Sequence, residues 1–150
     1  MKRKLLIAVS LLAMTSTSNA QFWDFTEPAP LGGTVNTVET EENIPVFSKD
    51  SSRLYFVRTF DETNKGGSND QDIWYSTKDE NGLYTDSKQL KSLNNKFNNA
   101  VLGINKDGTS MYLLNTYGGK KDILKGLAIS TYKNGDWSSP KPVEIPTLDI

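Results

Sequence analysis

The sequence contains neither cysteine nor histidine in its 150 residues. Without cysteine, no disulfide can staple the fold and no lipid can be attached through a lipoprotein cysteine. Without histidine, Ser-His-Asp and Cys-His catalysis are excluded, and so are the usual zinc sites. No phosphate-binding loop or nucleophile elbow is present either. We therefore expect no catalytic residue, no cofactor and no bound metal, and we predict that the protein is not an enzyme.

Long apolar runs are also missing, apart from a short one near the start. Three basic residues at 2–4 precede the apolar run 5–13, and residues 18–20 (SNA) provide the small side chains of a cleavage site. This pattern is typical of a secretory signal peptide, and we predict that residues 1–20 form one that is cleaved after Ala20. The alternative, a membrane anchor, needs about 20 apolar residues, so we expect no membrane span after cleavage.

The charge of the chain is low and slightly negative. The formal net charge is −1, and loss of the predicted signal peptide removes only positive charge. A chain of this kind has no basic footprint for nucleic acid or for anionic lipid. We therefore expect no nucleic-acid partner.

A ten-residue pattern occurs twice in the chain. Residues 48–57 read SKDSSRLYFV and residues 105–114 read NKDGTSMYLL, with Asp50 and Asp107 in corresponding positions 57 residues apart. Self-similarity at a fixed period is typical of repeat architectures, in which one unit does not bury its hydrophobic face alone. Both copies alternate short apolar runs with turn residues, which indicates strands and hairpins.

Each copy predicts four strands in an antiparallel meander. The predicted strands are 43–48, 53–59, 72–78 and 83–90 in the first copy, and 100–104, 110–115, 122–131 and 137–145 in the second. A four-stranded antiparallel unit repeated in tandem is the blade of a β-propeller. We predict an all-β fold of two such blades. The alternative is a two-sheet sandwich whose turns happen to be alike.

An additional segment precedes the first copy. Residues 22–32 resemble residues 136–143, since both run from a tryptophan through polar residues into Pro-x-Pro. We predict an N-terminal closing strand and linker at 21–37, a first blade at 38–92, and a second blade with the start of a further repeat at 93–150. Because propellers have about four to eight blades, we expect the chain to be the N-terminal part of a larger β-propeller. A complete short protein that pairs with itself is the alternative.

Several aspartates are candidates for a site. Asp50 and Asp107 could bind a ligand or a metal, but aspartate in a turn also accepts hydrogen bonds from its own backbone, and recurrence in a repeat favours that structural role. Asp70 and Asp72 have the spacing that begins a calcium loop, without the closing glutamate. We predict that Asp70 is solvated, and that Asp72 and Asp122 fix the start of a third strand.

The aromatic residues recur at equivalent positions. Trp23 corresponds to Trp137, and Tyr55 corresponds to Tyr112. Such recurrence favours packing between blades as the role of these side chains. The alternative for Trp74, alone or with the other two tryptophans, is a platform on which sugars stack.

Five segments of the chain together carry a resemblance to a known family of repeats. They are residues 31–37 (LGGTVNT), 42–50 (ENIPVFSKD), 54–56 (LYF), 72–76 (DIWYS) and 81–84 (NGLY). This pattern resembles the WD-like, TolB-type β-propeller repeat of exported bacterial envelope proteins. The chain departs from that repeat where Ser51 and Ser52 replace an Asp-Gly turn, and where Gly126 begins a segment that interrupts the Asp-Ile-Trp pattern.

The resemblance implies a periplasmic or outer-membrane-associated protein. Propellers of this family often precede an OmpA-like domain that grips peptidoglycan, and no such segment occurs in this chain. We expect a non-enzymatic scaffold whose partners are envelope proteins and, through an OmpA-like domain, peptidoglycan. The partners would dock on loops 61–71 and 117–121. The alternatives are a carbohydrate-active or peptide-cleaving propeller enzyme, and a glycan-binding module that uses Trp74.

Overall fold

The computed structural model of the chain describes residues 25–118 and 126–144, and every regular element in these ranges is a β-strand. The strands are β1 Glu41–Phe47, β2 Arg53–Thr59, β3 Asp72–Thr77, β4 Lys88–Gln89, β5 Val101–Ile104, β6 Ser110–Leu114, β7 Leu127–Lys133, β8 Asp136–Trp137 and β9 Lys141–Val143. The predicted all-β fold is confirmed. No helix in the described ranges is long and apolar enough to cross a membrane.

The strands form two separate antiparallel sheets. The first sheet has the order β1-β2-β3-β4, and the second has the order β5-β6-β7-β8, with β9 pairing along β7 as well. Both sheets are therefore meanders of sequence neighbours, as the repeat predicts. The fourth strand predicted at 137–145 is divided into β8 and β9, while in the first sheet only β4 remains of the strand predicted at 83–90.

A serine hydroxyl of the third strand lies at the break in the fourth strand of both sheets. Ser76 Oγ donates to the carbonyl of Thr85 at 2.5 Å, and Ser130 Oγ donates to the carbonyl of Ser138 at 2.6 Å. A carbonyl that accepts a side-chain hydroxyl competes with the backbone ladder. The two sheets thus share an irregularity as well as a strand order.

The first hairpin of each sheet has the same register. Val46 lies opposite Tyr55 in the first hairpin, and Gly103 lies opposite Tyr112 in the second, which preserves the offset of the sequence repeat. Each hairpin also has a register shift just before that pair. The alternation of side chains along a strand is therefore in phase in the two sheets.

The hydrophobic core lies between the sheets, which approach each other most closely at their first strands, β1 and β5. Alternate residues of a strand point to opposite faces, so Tyr55 of β2 and Met111 of β6 face each other's sheets. The buried residues of this core are Tyr55, Ile73, Leu90, Leu93, Val101, Met111, Leu113, Ala128 and Trp137.

A smaller cluster covers the opposite face of the first sheet. Val35, which precedes β1, is buried there against Leu54, Phe56 and Trp74. The part of the predicted N-terminal strand that is described, residues 25–32, is not paired as a strand. Prolines at 28 and 30 have no N–H to donate to a ladder. Residues 32–35 form turns instead, and Val35 is buried against the sheet.

Candidate functional site

The loop at 61–71 joins β2 to β3 and is fastened by one buried asparagine. Asn64 is 4% exposed. Its Nδ2 donates to the carbonyl oxygens of Arg58 at 3.0 Å and Asp70 at 2.9 Å, and its Oδ1 accepts the indole N–H of Trp74 at 3.1 Å. One side chain thereby ties the end of β2, the end of the loop and the middle of β3 together, which fixes the loop on the sheet.

The prediction that Asp70 is solvated is wrong. The residue is 7% exposed, and its Oδ2 accepts the backbone N–H of Gly66 at 2.9 Å. Burial raises the pKa of this carboxyl above its usual range. The loop folds back over its own C-terminal end. The Asp70 carboxylate therefore holds the loop backbone by a hydrogen bond and is largely shielded from water.

Asp72 begins β3 and is fully buried. Its Oδ2 accepts the backbone N–H of Lys65 at 2.8 Å, while its Oδ1 makes no hydrogen bond within the described residues. Burial is the main cause that raises the pKa of Asp72 to about 6, and the neighbouring Asp70 acts in the same direction. Asp72 lines a cavity of about 240 Å³ together with Lys65 and Gln89.

Trp74 is 8% exposed and lies under the guanidinium of Arg58, whose carbon is 4.3 Å from the ring centroid. Arg58 is itself buried, and it forms a salt bridge with Glu42 at 3.1 Å and donates to Ser87 Oγ at 3.2 Å. A ring covered in this way offers no face to a sugar. The proposed sugar platform on Trp74 is therefore not present in this structure.

The outward side of the same loop is exposed. Its exposed residues are Glu62, Thr63, Lys65, Gly66, Ser68 and Asn69. The second loop proposed for docking is described only at Tyr117 and Gly118, since residues 119–121 lie outside the described ranges. Tyr117 packs against the core between the sheets and accepts a hydrogen bond from Asn99 at 3.1 Å, and burial raises the pKa of its hydroxyl.

The turns at the other end of the sheets use different side chains in the two copies. Asp50 Oδ1 accepts the backbone N–H of Ser52 at 3.1 Å and the hydroxyl of Ser48 at 2.7 Å. The Ser48 bond is the main cause that lowers the pKa of Asp50 to about 2. In the second copy it is Asn105, rather than Asp107, whose Oδ1 accepts two backbone N–H groups of the turn, at 2.8 and 2.9 Å.

Asp50 and Asp107 line a cleft of about 270 Å³ between the turns of the two sheets. Arg53 lies on its wall, with the guanidinium carbon 4.9 Å from the ring centroid of Tyr75. Trp137 also lines the cleft. The cleft thus lies at the edge of the interface between the sheets and has both polar and apolar walls.

Trp137 and Tyr55 form a contact across the two sheets. The indole Nε1 donates to the Tyr55 hydroxyl at 3.2 Å, and the rings meet edge to face at 6.3 Å between centroids. Tyr112, which corresponds to Tyr55, is instead 41% exposed on the outer face of the second sheet. Equivalent positions in the sequence therefore have different surroundings.

Two residues of the predicted set, Trp23 and Asp122, lie outside the described ranges. Within those ranges, no group of three or more carboxylate side chains is arranged to hold a metal ion. The sequence interpretation did not identify Asn64 or Arg58. Arg58 shares the face of Leu54 and Phe56 on β2, so an arginine in phase with apolar residues was the available signal. Nothing local distinguishes Asn64 from the other polar residues of its loop.

Comparisons with known proteins add no relative. No family model, no curated protein and no solved structure matches this chain.

Proposed function

We propose that the protein is an exported scaffold of the bacterial cell envelope, built from β-propeller blades, that binds other envelope proteins and performs no catalysis. The observation that carries this proposal is the loop at 61–71. Its backbone is held by Asn64 and Asp70, while residues on both sides of Asn64 present their side chains to solvent. An exposed surface that is already ordered loses little conformational entropy when a partner binds.

The arrangement of the sheets supports the propeller part of the proposal. Propeller blades are four-stranded antiparallel meanders arranged around a central axis. Here two meanders in tandem approach each other most closely at their first strands. First strands that converge are what blades around a common axis require.

The envelope part of the proposal is supported by the sequence. The signal-peptide pattern at 1–20 and the resemblance to TolB-type repeats both favour export. Expression of the full chain in a Gram-negative host tests this part, with cell fractionation and N-terminal sequencing of the product. We expect a periplasmic or outer-membrane-associated protein that begins at Gln21. An uncleaved chain in the cytoplasm would contradict export.

The scaffold part is tested by changing the exposed side chains of the loop without disturbing its support. The variant Glu62→Ala/Ser68→Ala/Asn69→Ala retains Asn64 and Asp70. A matched control, Glu80→Ala/Asn81→Ala, changes exposed residues in the turn at the other end of the first sheet. Both proteins should unfold at the same denaturant concentration as the unchanged chain.

The readout is the set of envelope proteins that each variant captures after crosslinking in the host. We expect the loop variant to lose specific partners that the control retains. If all three proteins capture the same set, the loop is not the docking surface. If no envelope protein is captured specifically by any of them, the scaffold role itself is wrong.

A further inference from the structure

The interface between the two sheets is built from positions that occur again on the outer face of the second sheet. In the first sheet, Tyr55 of β2 belongs to the core between the sheets and is 2% exposed. Val57, two residues further on and therefore on the same face of β2, is 0% exposed. At the offset of the repeat, their counterparts are Tyr112 and Leu114 of β6. These two are 41% and 37% exposed.

The neighbouring strand repeats the same relationship. Tyr112 pairs with Ile129 of β7, and Leu114 pairs with Leu127, so these four side chains share one face. Together they form what we call the open face: Tyr112, Leu114, Leu127 and Ile129. The open face is apolar and belongs to a single pleated sheet. No described residue of this chain buries the side chain of Tyr112 or that of Leu114.

The opposite end of the stack is closed. The outer face of the first sheet carries Leu54 and Phe56, each 2% exposed, and Val35 from the preceding segment covers them. The two ends of the described stack are therefore different, and only the second has an uncovered apolar face of this kind.

We propose that the open face seats a further four-stranded antiparallel sheet of the same repeat, which places a tryptophan indole N–H on the hydroxyl of Tyr112. This inference deepens the proposed scaffold and rests on its propeller part. We infer the side chains of this further sheet from the contact that the second sheet makes with the first. There, the second sheet offers an aliphatic ridge, Met111 and Leu113, and the indole of Trp137 to the first sheet.

A second copy of this chain fits the open face less well. Its own Met111 and Leu113 are already buried against its first sheet, and its Leu54 and Phe56 are covered by Val35. Among the sheet faces that the structure describes, another open face is the one that remains for docking. That face carries tyrosine and aliphatic side chains, so it offers no indole N–H to the Tyr112 hydroxyl.

The inference is tested with a tandem protein in which residues 91–150 are repeated after Ile150. This segment contains the whole second sheet. It also contains Leu93, which is buried in the core between the sheets. The effect of Tyr112→Phe is measured in the 150-residue chain and in the tandem protein, where the substitution is made in the first of the two copies. Chemical denaturation gives the unfolding equilibrium constant of each.

We expect Tyr112→Phe to leave this constant nearly unchanged in the 150-residue chain and to raise it about tenfold in the tandem protein, since a buried donor then loses its acceptor. As a second variant, Leu114→Lys should detach the added unit, giving two separate unfolding transitions, with little effect in the unchanged chain. An added unit that remains unfolded, or that folds without sensitivity to either substitution, would overturn the inference.

Sedimentation of the unchanged chain identifies the competing occupant. Self-association that Leu114→Lys abolishes would assign the open face to a second copy and overturn the proposal of a further sheet. The envelope-capture experiment is independent of these results. A failure of the tandem protein therefore leaves the docking role of the loop at 61–71 to its own test.

Discussion

Replacing Asp72 with asparagine should stabilise the protein more at alkaline than at acidic pH. The carboxylate is fully buried, and only one of its oxygens has a hydrogen-bond donor among the described residues. Water solvates both oxygens of an ionised aspartate in the unfolded chain, so folding removes solvation that the protein replaces only in part. Asparagine has nearly the same shape and carries no charge.

The size of the effect follows from the pKa of Asp72. It is about 6 in the folded protein, against about 3.9 in an unfolded chain, and at about 1.4 kcal/mol per pKa unit ionisation then costs about 3 kcal/mol of stability. Because the folded pKa is the higher one, the folded state holds the proton more tightly. The cost is absent below about pH 4, grows between about pH 4 and 6, and is complete above that range.

The assay is urea unfolding of the unchanged chain and of Asp72→Asn at about pH 4 and about pH 8. The stability of the variant relative to the unchanged chain should rise by about 2 kcal/mol between these two pH values. The amide group of asparagine places an Nδ2 donor where the Asp72 oxygen has no described partner. Its effect on stability is the same at both pH values, because the amide does not titrate. The difference between the two pH values therefore isolates the charge.

Asp50→Asn is a control with the opposite sign. The pKa of Asp50 is lowered to about 2, chiefly by the Ser48 hydroxyl, so its contribution to stability is present at neutral pH and is lost as the pH falls toward that value. The variant should be less stable than the unchanged chain at neutral pH, with a smaller deficit in acid. If Asp72→Asn shows no pH-dependent gain, the reasoning that Asp72 is ionised at a cost in the folded protein is refuted.

Two further substitutions test the contacts that position the sheets and the loop. Tyr55→Phe leaves the indole N–H of Trp137 without its described acceptor across the sheets, and it should lower the free energy of unfolding by about 1–3 kcal/mol. Tyr112→Phe, at the exposed equivalent position, should change the free energy of unfolding by less than about 0.5 kcal/mol. Equal effects of the two substitutions in urea denaturation would contradict the hydrogen bond between the sheets. Asn64→Ala removes the partners of two carbonyls and of the Trp74 indole, and should cost about 2–4 kcal/mol while exposing the loop at 61–71 to limited proteolysis. An unchanged cleavage rate would show that the loop is held by other contacts.

Much of the local structure could be predicted from the sequence, because its causes lie within a few residues. Alternating apolar residues and turn signals predict β2 at its observed bounds and β6 to within one residue. The fourth strands could not be predicted at their true length. Each interruption coincides with a contact across strands, in which the hydroxyl of Ser76 or Ser130 donates to a carbonyl of the neighbouring chain segment.

The candidate site was less accessible to the same reasoning. Asp70 looks like a solvated loop residue in sequence, yet the loop folds over it and leaves it 7% exposed. For Trp74 the sequence favours a structural role and leaves a sugar platform open as the alternative. In the structure, Arg58 lies over its ring and Asn64 accepts its N–H. The burial of Asp70 depends on how the loop folds back on itself, with Gly66 four positions away. The cover of Trp74 depends on Asn64 and Arg58, which are ten and sixteen positions away on other elements, and no local pattern encodes either outcome.

The sequence by itself determined the strand order, the hairpin register and the offset between the two copies, because turn chemistry and side-chain alternation act over neighbouring residues. Only the tertiary structure decided which tyrosine of the repeat is buried. Tyr55 and Tyr112 stand in nearly the same local sequence, and burial depends on whether another sheet packs against the face that carries them. The first has the second sheet and its tryptophan beside it, while the second faces solvent.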